Sequence, residues 1–219
     1  MTTKLFISFC GEGHSDNVFI KNITERVVID YLLQKNIDAE ISWTYIRKKG
    51  SSTESYLESA ALSQNQHLLI YHRDADCDNR NECLQNHFQE GDVLINNNRD
   101  MYCHHIVKAI PIQETEAWML SDKELLKSLI NTDLSNQDLN FTYQIGNIEN
   151  VANPKERVEA AISTHRNYTP PRRRKLIPTL SELYEPFSQQ VSVDSISRVP
   201  SCQQLIEDIR NVIDEIFEN

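Results

Sequence analysis

The residues of this chain best suited to chemistry are carboxylates, and they come in three clusters. Glu12 and Asp16 lie in GEGHSD, Asp74, Asp76 and Asp78 in RDADCD, and Glu114 and Glu116 in QETEAW. Carboxylates held together repel one another and lose hydration, so a fold that gathers them usually offsets their charge with a cation. An oxygen-only donor set suits Mg²⁺, Mn²⁺ or Ca²⁺. Asp74 and Asp76 are two residues apart, and on a continuing strand both point to one side and can share an ion. Glu12 sits between two glycines ahead of a helix, where backbone and phosphate can approach closely and free amides favour an anion. Two ions about 3.5–4 Å apart would stabilise the attacking and leaving oxygens of phosphodiester cleavage. The candidate ligands are therefore Glu12, Asp16, Asp74, Asp76, Glu114 and Glu116. Each cluster also has a plainer reading: a glycine turn with a helix cap, a solvated loop, and a helix start whose acids favour the dipole. His72 and Arg73 precede Asp74; His72 reads equally as a phosphate contact or a packed core residue.

The elements that must carry these clusters alternate. Lys4 to Cys10 is an apolar run read as a buried strand, followed by a helix with Ser15 as its cap and Phe19, Ile23, Val27 and Tyr31 on its core face. Asp38 to Arg47 alternates as a second strand, and Ser52 or Thr53 caps a helix running to about Asn65. His67 to His72 is a third strand, Asn81 to Gln89 a helix, and Cys103 to Ile112 a fourth strand. The pattern predicts an α/β fold, a mostly parallel sheet flanked by helices on both faces. In such sheets ligands gather at the carboxyl ends of strands, and all three acidic clusters fall there. After Asp122 the strand signal stops. Helices are expected from Ser121 to Ile130, Pro154 to Ser163, Thr179 to Gln189 and Ser201 to Phe217, the last with Leu205, Ile209, Val212 and Ile216 on one face. The expected division is an α/β core over 1–122 and a helical extension over 123–219.

At 219 residues and 39% hydrophobic content the chain has the composition of a folded globular protein. No apolar run approaches the ~20 residues of a membrane span, and MTTKLFISFC reads as a strand rather than a signal peptide. Five scattered cysteines without a CxxC pair point to reduced thiols and a cytoplasmic location. The spacing of Cys77, Cys83, Cys103 and His104 matches no common zinc module. The net charge of −10 opposes general binding to nucleic acid. RNYTPPRRRK, from Arg166 to Lys175, reverses that sign locally with five cations and no acid. Arg172, Arg173, Arg174 and Lys175, with Lys155 in the NPK turn, are the candidate phosphate contacts; the plainer reading is a solvated loop. Trp118 reads as core rather than as a stacking platform.

A strand ending in EG, a helix, and a later strand ending in DxD resembles the TOPRIM signature of topoisomerases, primases and related nucleases. Here it reads FCGEGHSD and YHRDADCD. Asp16, four residues after Glu12, is similar to the second-metal acid of the overcoming-lysogenisation-defect nucleases. PIQETEAWMLSD, the later NPKE, a YTP stretch and a terminal amphipathic helix resemble a TOPRIM-like family encoded beside ABC-type ATPases in bacterial phage-defence loci. The core resemblance spans Lys4 to Asp122. It implies an Mg²⁺- or Mn²⁺-dependent nuclease in which Glu12 is a general acid/base or ligand and Asp74 and Asp76 bind metal. Nucleic acid and an ABC-type ATPase are the implied partners. No tyrosine is placed as a topoisomerase nucleophile, and zinc modules and an ATP-binding loop are missing from the sequence. The competing readings are a non-catalytic regulatory subunit of an ATPase complex and a phosphotransfer or nucleotide-hydrolysing enzyme.

If the basic stretch grips phosphate, replacing Arg172, Arg173, Arg174 and Lys175 by alanine weakens nucleic-acid binding across sequences. The slope of log affinity against log salt then becomes shallower by up to about one unit per lost contact. Titrations at several salt concentrations check this; an unchanged slope would make the stretch a solvated loop or a protein-docking surface.

Overall fold

The computed structural model describes residues 3–47, 50, 52–75 and 79–218, apart from the side chains of residues 14–16. Four strands form one sheet: β1 (Thr3–Gly11), β2 (Ala39–Arg47), β3 (Leu68–His72) and β4 (Ile106–Ala109). Their order is β2-β1-β3-β4, and every neighbouring pair is parallel. The helices are α1 (His14–Gln34), α2 (Thr53–Leu62), α3 (Arg80–His87), α4 (Gln89–Asn97), α5 (Glu116–Met119), α6 (Lys123–Ile130), α7 (Pro154–Tyr168), α8 (Leu180–Gln190), α9 (Val193–Ile196) and α10 (Pro200–Glu218). This is the expected α/β architecture with parallel strands and flanking helices.

Strand alternation divides the core between the two faces of the sheet. Leu5, Ile7, Phe9, Leu68 and Ile70 point to one face, where they meet Phe19, Ile23 and Val27 of α1 and helices from the C-terminal third, including Phe187 of α8 and Ile209 of α10. Cys10, Leu69 and Tyr71 point to the other and pack with Tyr56, Ala60, Phe88 and Ile95. Central β3 is therefore buried at all five positions, as its unbroken apolar run requires. Edge strand β2 is mostly half-buried or exposed. The first apolar cluster runs without a break from the sheet into α6, α7, α8 and α10, so residues on both sides of position 122 share one core.

Several boundaries differ from the sequence reading for local reasons. α1 begins at His14 with extended Gly13 at its cap, which places Ser15 inside the first turn. Ser52 caps α2 by accepting from Ser55 N–H, and the helix stops at Leu62. β4 is four residues long rather than ten, because Pro111 has no N–H for a ladder and the chain turns at Gln113, which is left-handed at φ 62°. α4 and α9 were not expected.

Gly11 closes β1 where Asn17 folds back against it. A Cβ at Gly11 would fall 1.9 Å from Asn17 Oδ1 and 3.0 Å from the Phe9 ring. Gly11→Ala therefore forces Asn17 out of its bond to the Tyr45 hydroxyl or displaces the strand end. The expected cost is about 1–3 kcal/mol, read as a lower thermal midpoint; an unchanged midpoint would show that the turn accommodates the methyl group.

Candidate active site

Register brings the first two acidic clusters together. β1 and β3 are adjacent and parallel, with Cys10 opposite Tyr71, so Glu12 and Asp74 both emerge at the carboxyl edge. Three hydrogen bonds then close a ring. The Asp74 N–H donates to Glu12 Oε2 at 3.2 Å. The Glu12 N–H donates to His72 Nδ1 at 3.4 Å. His72 Nε2 lies 3.3 Å from Asp74 Oδ1. Because Nδ1 accepts, a neutral His72 ring carries its proton on Nε2 and donates it to Asp74. His72 has no solvent exposure, which answers the question its position left open: it is a core residue whose two nitrogens position both acids.

The β4 edge supplies the next support. Beyond β3, the Arg73 N–H donates to Ala109 O and the Ala75 N–H to Pro111 O, so the two chains stay in step past the sheet. That delivers Thr115, itself fully buried, to Asp74, where its hydroxyl donates to Oδ1 at 3.1 Å. Arg73 is turned the other way, with Nη2 3.4 Å from His87 Nε2. Neither His72 nor Thr115 was expected as a positioning residue. The available signals were a histidine closing an apolar strand and a threonine between two glutamates.

The third cluster divides around Thr115. Glu114 Oε2 accepts from the Lys155 N–H at 3.2 Å and so places a carboxylate at the N-terminus of α7, where the helix dipole favours it. Glu116 turns inward, is 4% exposed, and accepts from the Tyr184 hydroxyl. Burial pushes its carboxyl above the ordinary range and the charge of Glu114 adds to the rise, against the Tyr184 hydrogen bond and the Lys155 charge. Thr115 is thus the member of ETE that hydrogen-bonds Asp74. Asp76 and Asp78 lie outside the described residues, as does the side chain of Asp16. Among the described residues no group of three His, Cys, Asp or Glu side chains is arranged to hold a metal ion.

Lys155 stands beside the third cluster through its backbone. Arg172, Arg173, Arg174 and Lys175 are exposed on the turn that follows α7, and Arg174 Nε donates to Thr169 O at 2.9 Å. α7 carries the chain ~20 Å from Lys155 before that turn, so the basic stretch occupies the far end of the helix from Glu114. Trp118 is fully buried and its Nε1–H donates to Ser201 Oγ at 2.8 Å. Among the described residues no helix is long and apolar enough to cross a membrane. No family model, no curated protein and no solved structure matches the chain.

Glu116 gives a pH test. A carboxyl raised in the folded state holds a proton that the unfolded chain has lost, so stability falls as pH rises from the ordinary value of 4.5 towards the folded one. Glu116→Gln keeps an acceptor for Tyr184 and removes the titration. Melts across pH should show the variant as stable as the parent or more so at neutral pH, with the difference shrinking towards pH about 4. A variant less stable only at neutral pH would mean that the buried carboxylate is bonded more strongly than burial penalises it.

Proposed function

We propose that this chain is a divalent-metal-dependent nuclease, acting in the cytoplasm as the effector of an ATPase-partnered phage-defence system. The observation that carries the reading is the Glu12–His72–Asp74 ring at the carboxyl edge of two adjacent parallel strands. Holding two carboxylates together costs repulsion, and an imidazole buried beneath them keeps the pair in place. The donor set fits Mg²⁺ or Mn²⁺: both groups are hard oxygen ligands, and Mg²⁺ is commonly held by one or two carboxylates together with water and substrate phosphate. Glu12 and Asp74 would hold the ion, and the TOPRIM resemblance adds Asp76 and Asp16. When bound, the metal supplies charge for the phosphate oxygens and lowers the pKa of a coordinated water.

The chain's own groups have separable roles in this reading. Glu12, exposed at the mouth of the turn, is the ligand or general acid/base that the TOPRIM resemblance implies. Asp74 is held by Thr115 and His72, so its orientation does not depend on the ion. Glu114 and Glu116 are committed to the α7 terminus and to Tyr184, and we assign them support of the β4 edge rather than direct ligation. The buried thiols Cys10, Cys83, Cys103 and Cys202 suit a reducing compartment. The ATPase partner rests on the resemblance of PIQETEAWMLSD and NPKE.

Asp74→Asn is the test. Asparagine still offers Oδ1 to Thr115 and His72, and it relieves the repulsion from Glu12, so the fold should keep its stability or gain slightly. Metal-dependent stabilisation and cleavage should be lost together. The measurements are thermal melts with and without millimolar Mg²⁺ or Mn²⁺, beside degradation of plasmid and tRNA with and without a neighbouring ATPase. A variant that keeps both the metal response and cleavage would remove Asp74 from the site. A parent protein that neither responds to metal nor cuts under any of these conditions would favour the non-catalytic subunit.

A further inference from the structure

On the α1 face of the sheet lies an open cleft of about 480 Å³, lined by Phe9, Trp43 and Tyr45 from the strands, Asn17 and Lys21 from α1, and Glu185 from α8. That volume is within the range of small-ligand sites. Three of its nine lining residues are aromatic. Trp43 and Tyr45 are two residues apart on β2 and share a face. Phe9 is the register partner of Tyr45, and the two rings stack with centroids 6.4 Å apart. Tyr45 remains 56% exposed and Trp43 is half-buried, whereas Phe9 is buried beneath them. The Trp43 Nε1–H is buried without a hydrogen-bond partner among the described residues, whereas a buried indole N–H ordinarily has one.

The cleft carries at most one net negative charge. Lys21 contributes one cation, 5.5 Å from the centre of the Trp43 ring and already bonded to Glu25 at 2.6 Å, and Glu185 contributes one acid. The site therefore offers aromatic surface and little net charge. Those properties fit a neutral planar ring better than a phosphate or an aliphatic side chain.

The cleft adjoins the acidic edge. Phe9 precedes Glu12 by three residues, about 10 Å along an extended chain. Asn17, whose amide donates to the Tyr45 hydroxyl, is one turn into α1, with its N–H bonded to Gly13 O. We infer that this cleft stacks an unpaired base of a single-stranded nucleic acid whose backbone passes the Glu12–Asp74 pair. The path of the backbone rests on the nuclease reading; the chemistry of the cleft stands apart from it. Stacking on aromatic faces tolerates any base, so the cleft selects single strands over duplexes without reading sequence.

Tryptophan emission reports the event directly. Of the two tryptophans, Trp118 is sealed in the core and Trp43 lines the cleft. The protein, held in EDTA to stop cleavage, is titrated with an oligothymidylate octamer and with an abasic octamer bearing the same phosphates. The thymidylate should quench emission and bind at least about fivefold more tightly than the abasic strand. Tyr45→Ala should weaken thymidylate binding by about five- to 150-fold and leave abasic binding unchanged, while Tyr45→Phe, which keeps the ring, retains it. Circular dichroism verifies that both variants fold. Equal binding of the two octamers, binding of neither, or parental affinity in Tyr45→Ala would overturn the inference. Metal-dependent cleavage that persists without base-dependent binding would sink the cleft and spare the nuclease; base-dependent binding without cleavage would do the opposite.

Discussion

Two carboxylates at the ends of neighbouring parallel strands repel each other, and the site described here depends on how that repulsion is contained. The containment comes from an imidazole: His72 accepts from the backbone of Glu12 and bonds the side chain of Asp74, whose own backbone returns to Glu12. None of these bonds removes the negative charge. The ring ties the Asp74 backbone to the Glu12 carboxylate and orients the Asp74 side chain. It also explains why a histidine stands fully buried at the end of β3, where any apolar residue would pack.

The rest of the fold holds that ring rigid. β3 is covered on both faces, so His72 leaves the sheet from its best-packed strand. β4 is short, but backbone bonds beyond its end keep it beside β3 long enough to deliver Thr115 to Asp74. From there the chain enters α5, where Glu116 meets Tyr184 of α8 and Trp118 meets Ser201 of α10. The C-terminal helices thereby stabilise the edge that carries the acids, and Glu114 ties the same edge to α7.

The strands and the placement of acids at their ends were legible because both are local. A buried parallel strand reads as an apolar run, and a carboxylate just after it stands out against that run. What escaped the sequence was non-local. The role of His72 depends on a glutamate 60 positions away. The inward turn of Glu116 depends on Tyr184, which lies beyond two further helices, in α8. α4 was obscured by Gly91, a poor helix former present because a Cβ there would come 2.7 Å from the Tyr56 ring. The cleft was hidden for the same reason: β2 shows its alternation, but the Glu185 wall arrives from α8.

The central claim is that the Glu12–His72–Asp74 ring exists to hold a divalent cation. Calorimetric titration of the intact protein with Mn²⁺ at neutral pH tests it most directly, with Mg²⁺ as competitor. The account predicts saturable uptake that Mg²⁺ displaces. Heats that never saturate, or saturable uptake that Mg²⁺ leaves untouched, would contradict it.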